Sequence, residues 1–371
     1  MIYLDSAATT LQKPASVRRA MYRAVGSMSS PGRGGHAAAM LAADTALDCR
    51  IALADLFNVP EPDSVVFTLN ATHALNIAIH SLVLPGDRVV ISGFEHNSVT
   101  RPLAHIGADV DIASSTLFDS ASATEAFRRI LPGSKCCVCT HVSNVFGFIL
   151  PIYDIAQLCH HYGVPLIIDA SQSAGSLDID FLMLGADYIA MPGHKGLFGP
   201  QGTGILLCRD AASPLIQGGT GSNSADAFMP EFLPDRLEAG THNMPGIAGL
   251  REGVGYVTRM TPSSILRHER KLLAKASDAF ADIPGLEVFA ASNVESQAGV
   301  LSVRSYKMSS EQLAYELGKH GVAVRAGLHC APTAHRTAGT FDSGTVRFSF
   351  SPFNTEREVL YAAAAVKTIL R

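Results

Sequence analysis

Short runs of apolar residues alternate along this chain with longer stretches whose apolar positions recur at helical spacing. The runs are Ser64–Thr68, Arg88–Ser92, Val110–Ala113, Cys136–Ser143, Pro165–Ala170, Tyr188–Ala190 and Gly204–Cys208. Each is too short for a helix and lacks the polar alternation of a half-exposed strand, which predicts strands buried on both faces. The stretches between them, such as Ala37–Phe57, predict covering helices. The fold class read from this pattern is α/β, with a mostly parallel central sheet covered by helices. After about Gly255 the pattern changes. Leu286–Phe289 and Gly299–Val303 read as strands, and Thr345–Phe350 as an alternating strand. Ser309–His320 and Thr355–Leu370 read as helices, opened by the capping boxes Ser309/Gln312 and Thr355/Glu358. The expected organisation is a large α/β domain, residues 15–255, and a smaller α+β domain built from 1–14 and 256–371. Neither internal repeats nor a long linker interrupts it, and Ser30–His36 is expected to be a flexible polar turn.

Composition narrows the function. Charged residues make up 17% of the 371 and apolar ones 47%, as in a compact enzyme with surface to spare for an oligomer interface. The net charge of −4, without basic clusters, argues against nucleic acid and anionic membranes as partners. No apolar run has the length of a membrane span. The chain enters Ile2–Asp5 without a charged leader or cleavage site, which reads as cytoplasmic. The seven cysteines are an odd set. Cys136-Cys-Val-Cys139 has the look of half a zinc site, but no second half follows and the run reads as a buried strand. Cys330 differs, lying in a polar loop from Arg325 to Pro332.

Ligands of parallel sheets sit beyond the carboxyl ends of the strands. Polar groups fall there repeatedly: Asn70-Ala-Thr-His73, Glu95-His-Asn97, His141-Val-Ser-Asn144, Asp169-Ala-Ser-Gln172 and His194-Lys195. Lys195 follows the strand-like run at Tyr188 and lies 26 residues after Asp169, which ends another. That pair meets the needs of pyridoxal 5′-phosphate (PLP): an amine for its aldehyde and a carboxylate to keep the pyridine nitrogen protonated. Around it, the free amides of Ala71 and Thr72 and the Thr72 hydroxyl, at a helix start, suit a phosphate. His96 has the shape to stack on a heterocycle. Gln172 has the reach for the ring hydroxyl, and Asn144 for that hydroxyl or a substrate carboxylate. Arg347, on the alternating strand, offers a bidentate fork to a carboxylate. Cys330 is the candidate nucleophile, with His329 beside it as the candidate for favouring its thiolate.

Taken together, Tyr3-Leu-Asp-Ser-Ala-Ala-Thr-Thr10, Glu95-His96, His141-Val-Ser-Asn-Val-Phe-Gly147, Asp169-Ala-Ser-Gln172, Gly193-His-Lys195, Glu238-Ala-Gly-Thr-His-Asn243 and Arg325-Ala-Gly-Leu-His-Cys-Ala331 resemble the class V aminotransferase-like enzymes. Among these the chain looks most like cysteine desulfurases and selenocysteine lyases. The resemblance covers nearly the whole chain and implies PLP fold-type I. It implies that Lys195 binds PLP and later moves the Cα proton, with Asp169 at the pyridine nitrogen, Gln172 at the phenolic oxygen and His96 on the ring. Thr72, Ala71 and His194 would take the phosphate, with Thr241 reaching the phosphate in the other subunit of a homodimer. Asn144, Arg347 and Ala8 would face the substrate, and Cys330 would receive sulfur from L-cysteine, for delivery to an acceptor protein. A selenocysteine lyase using the same residues on L-selenocysteine, an aminotransferase that leaves Cys330 idle, and a PLP-fold binding protein without catalysis are the rival readings. Three positions depart from the family pattern: Pro192 for a serine, Leu328 for a histidine, and His73 for an acidic residue.

Overall fold

The computed structural model covers the chain from Met1 to Arg371 and describes every residue except 32, 33, 211 and 223. The turn expected at 30–36 therefore lies partly outside the described residues. Among the described residues thirteen strands are present: β1 (Ile2–Tyr3), β2 (Val65–Thr68), β3 (Arg88–Ser92), β4 (Asp109–Ala113), β5 (Cys136–Thr140), β6 (Leu166–Asp169), β7 (Tyr188–Pro192), β8 (Gly204–Cys208), β9 (Leu286–Phe289), β10 (Val300–Ser305), β11 (Val322–Ala323), β12 (Arg325–Gly327) and β13 (Thr345–Ser349).

Seven of them form the main sheet, in the order β2-β8-β7-β6-β5-β3-β4. β8 runs antiparallel to both of its neighbours, and the other pairings are parallel. Successive side chains of a strand point to opposite faces. In β5 the Cys137 and Cys139 side chains join one core while Cys136 and Val138 join another. Ile168 and Ile167 in β6, and Ile205 and Leu206 in β8, divide in the same way. Both faces must therefore be covered, which is why these strands read as unbroken apolar runs.

The second sheet, β12-β13-β10-β9, is antiparallel. It packs with helices Pro262–Ala281, Ser310–Lys319 and Glu356–Ile369 around a core that includes Leu272, Leu301, Val346 and Phe348. Leu4 lies in this core and β1 pairs with β11, so the first residues fold with the last hundred. Thr355 and Glu358 form the full reciprocal capping box. Ser309 accepts from the Gln312 amide, but Gln312 is not seen to answer it, leaving half of the expected box.

A buried ion pair ties the loop before helix Met244–Met260 to helix Ala37–Phe57 and to β2. Arg50 Nη2 meets Glu238 Oε2 at 2.5 Å, and Glu238 Oε1 accepts the Phe67 amide at 2.6 Å. Arg50 also lies over the Phe67 ring, 4.3 Å from its centroid. Removing one partner of such a pair strands the other charge out of water. Glu238→Ala is expected to destabilise the protein by about 3 kcal/mol, read from the shift of its urea unfolding midpoint. An unchanged midpoint would mean that Arg50 finds water or another acceptor.

Candidate active site

The segments leaving β2, β3, β5, β6 and β7 close around one cavity of about 110 Å³. After β2, Asn70 caps helix Ala71–Leu82, its side chain accepting from the His73 amide at 2.9 Å. Ala71 and Thr72, in the first turn, line the cavity with the positive end of the helix dipole. After β3, His96 caps helix Asn97–Ile106 through its ring: Nδ1 accepts the Ser98 amide at 3.0 Å. The Ser98 hydroxyl lies 2.9 Å from the same nitrogen and 2.8 Å from Thr72 Oγ1.

Asp169 ends β6, opposite Thr140 of β5 and Ala190 of β7, and its Oδ1 accepts the Ser171 amide at 2.9 Å. Nearby, the fully buried Glu95 accepts from Ser92 Oγ and from the Thr140 amide. Burial, helped by the Asp169 charge, pushes Glu95 up to about 8, so at neutral pH it holds a proton.

Lys195 follows β7. Burial lowers its ammonium to about 8; the Asp169 carboxylate opposes the shift, while the Arg347 and Arg325 guanidiniums add to it. The loops carrying the two groups are pressed backbone to backbone. A Cβ at Gly175 would collide with the Gly196 carbonyl, and one at Gly196 with the carbonyl of Ala174. Gly175 also has φ +95°, a conformation that glycine adopts without strain. From the other side the opening segment grips the turn by the His194 carbonyl, which accepts from the Thr10 amide (3.2 Å), Thr10 Oγ1 (3.0 Å) and Lys13 Nζ (2.8 Å). His194 Nδ1 lies 3.0 Å from Thr9 Oγ1, and burial beside Lys195 and Lys13 lowers that ring to about 4.

The cavity thus brings together Lys195, Asp169, Gln172, His96, Thr72, Ala71, His194 and Asn144, as expected from their strand ends. Other expectations change. Gln172 Nε2 donates to the Ala7 carbonyl at 3.0 Å. Ala7 lines a second cavity beside Lys195, whereas Ala8 lines neither. Arg347 is 2% exposed and already engaged, pairing with Asp5 Oδ1 (2.7 Å) and donating to the Asn144 carbonyl (2.9 Å), with Nε unpartnered. Asn144 in turn donates to the His329 carbonyl at 2.8 Å. Thr241 is exposed and lies in a different pocket from Lys195 of its own chain.

Cys330 is the one exposed cysteine; the other six are buried. It opens on a groove shared with Thr72, His96 and Ser98, three residues that also line the Lys195 cavity. His329 and Cys330 are consecutive residues in the left-handed region, with φ 49° and 57°, an arrangement that costs energy in non-glycine residues. The expected help from His329 fails. Its ring is buried, with Nε2 at 3.2 Å from the Thr345 carbonyl and Nδ1 unpartnered. Burial, with Arg347 and His335 adding, holds it well below the ordinary histidine value, so it brings no positive charge to the thiol. Asp5, Lys13 and Ser98 were absent from the sequence-derived candidates. The only signal for Ser98 is a hydroxyl two residues after His96, where a helix begins.

The profile of one family, aminotransferase class-V, matches residues 2–361. The chain belongs to the class V aminotransferase family. It is 33% identical to a probable cysteine desulfurase of Mycolicibacterium paratuberculosis, an alignment covering 100% of this chain and 55% of that one. The chain therefore spans about half the length of that relative. A probable cysteine desulfurase of Methanothermobacter thermautotrophicus is 31% identical, over 96% of this chain and 92% of its own. Among solved structures, the apo cysteine desulfurase of Thermococcus onnurineus NA1 superposes with a TM-score of 0.92 at 28% identity, covering 100% of this chain and 94% of that one. Class V members depend on PLP and share fold-type I, in agreement with the sheet described above. The cavity fits that group: a lysine with a lowered ammonium, a buried carboxylate on the adjoining strand and an open helix start.

The Lys195 shift has a direct test. In the cofactor-free protein, trinitrobenzenesulfonate labelling of Lys195 should rise with a midpoint near pH 8 instead of the ordinary 10.5. Asp169→Asn removes the anion favouring the charged amine, so the midpoint should fall further. A midpoint that rises in this variant contradicts the assignment.

Proposed function

We propose that this chain is a PLP-dependent cysteine desulfurase that converts L-cysteine to L-alanine and leaves the sulfur on Cys330. The observation that carries the reading is the exposed Cys330 thiol, set on a groove that shares Thr72, His96 and Ser98 with the Lys195 cavity. The names of the relatives and of the solved neighbour support it.

PLP, when bound, supplies an electron sink for negative charge at the substrate carbons. Lys195 holds it and moves the proton at the substrate Cα, a task suited to an amine lowered to about 8. Asp169 pairs with the pyridine nitrogen and keeps it protonated. The open amides of Ala71 and Thr72, the Thr72 hydroxyl and His194 take the phosphate, Gln172 the phenolic oxygen, and His96 the ring face. Arg347 and Asn144 hold the substrate carboxylate, with Asp5 keeping the guanidinium compensated until it arrives. The Cys330 thiolate attacks the substrate sulfur. An S–S bond forms, the Cβ–S bond breaks and its electron pair stays with the carbon. One thiol proton ends on Cβ, giving alanine, and the other stays with the persulfide.

The homodimer belongs to the same proposal. Thr241 is exposed and away from its own Lys195, and apolar Met40, Leu41, Leu47 and Ile51 are exposed on helix Ala37–Phe57. A second copy would cover that face and receive Thr241 at its phosphate. The persulfide would pass to a sulfur-acceptor protein at the open groove. The chain is proposed to work as domains 15–255 and 1–14 with 256–371, and to reside in the cytoplasm, where free thiols persist. No helix among the described residues is long and apolar enough to cross a membrane.

The purified protein loaded with PLP should turn L-cysteine into alanine and reductant-released sulfide in equal amounts. Cys330→Ala should lower that rate by about a hundredfold or more while leaving the cofactor absorbance in place. Undiminished alanine formation by this variant overturns the persulfide step.

A further inference from the structure

The three hydroxyl and imidazole groups at the cavity wall have a proton inventory that decides what they can bind. A hydroxyl has one proton to donate and two lone pairs to accept with. His96 Nδ1 already accepts the Ser98 amide at 3.0 Å, so the neutral ring carries its proton on Nε2. Ser98 Oγ stands within hydrogen-bond distance of His96 Nδ1 (2.9 Å) and of Thr72 Oγ1 (2.8 Å). Two arrangements are open, and with Nδ1 unprotonated only the first makes both contacts hydrogen bonds; in the second Nδ1 keeps the Ser98 amide alone. If Ser98 donates to His96, Thr72 must donate to Ser98 and then faces the cavity only as an acceptor. If Ser98 donates to Thr72, the Thr72 proton is free to point into the cavity.

An anion beside Thr72 accepts only the second arrangement. We propose that Ser98 is a positioning residue for the cofactor phosphate: it turns its proton onto Thr72 so that Thr72 donates its own to the phosphate. The proposal rests on PLP being the resident cofactor. Two features of the cavity give the hydroxyl weight. Pro192, on the same cavity, has neither an amide proton nor a side-chain donor to offer. Ser98 is 9% exposed, so water does not readily replace its proton at Thr72. His96 keeps the Ser98 amide in either arrangement, which leaves the helix cap and the ring orientation intact when the hydroxyl turns.

The last point makes the proposal separable from a structural role, because Ser98→Ala removes the hydroxyl and leaves the capping amide. The experiment titrates cofactor-free wild type, S98A, T72A and the double variant with PLP and, separately, with pyridoxal, which lacks the phosphate. Binding is followed by absorbance. For S98A the PLP Kd should rise about tenfold, the scale of one lost charge-assisted contact, with the pyridoxal Kd unchanged. In the T72A background the same change should add less than about twofold, since Ser98 acts through Thr72. Equal weakening of PLP and pyridoxal, an unchanged PLP Kd, or full additivity with T72A overturns the proposal. Failure of the wild type to bind PLP at all refutes the parent reading of the cofactor instead.

Discussion

A cation and an anion drawn out of water at the ends of neighbouring strands are what the rest of this structure serves. Glu95, the buried carboxyl near Asp169, is pushed up to about 8, and Lys195 has its ammonium weakened, both chiefly by burial. Neither shift would survive in an open loop. The seven-stranded sheet supplies the rigidity, with both faces packed so that the strand ends cannot shift independently. The glycine contact between the two loops then sets their distance with backbone, which leaves little freedom for side-chain choice.

The histidines of the site follow one rule. His96, His141 and His194 are pushed down to between about 3 and about 4, chiefly by burial, and His329 also falls. Neutral rings accept hydrogen bonds, stack and orient, but they do not supply charge. Positive potential comes instead from Lys195 and from Arg347, paired with Asp5, with Arg325 opposite Arg347 on the adjoining strand.

Much of this was legible in the residue order, for identifiable reasons. Doubly buried strands leave unbroken apolar runs, so β3 and β8 have their expected limits, and the edge strand β9 and helix Ala37–Phe57 do too. The polar groups gathered at one cavity because strand ends in a parallel sheet share a side. What stayed hidden depended on contacts between distant segments. Nothing local tells Asp5 that it will face Arg347, or Gln172 that it will meet the Ala7 carbonyl. His329 misled because adjacency to Cys330 in sequence says nothing of burial, and its ring turns to Thr345 instead. Ser98 was hidden because its partners are a ring two residues back and a hydroxyl 26 residues away.

The grip of the opening segment on the Lys195 turn has a consequence for the order in which the molecule is made. Thr10 leaves the ribosome before its partner carbonyl at His194, which appears 184 residues later. Asp5 waits longer still, since Arg347 lies 342 residues down the chain. Domains generally begin to fold as they emerge, and the main sheet could do so once β8 is out. The Asp5–Arg347 pair would nonetheless stay open until β13 arrives. The cavity lining, which ends at Lys195, is therefore made well before the ion pair that steadies Arg347 beside it.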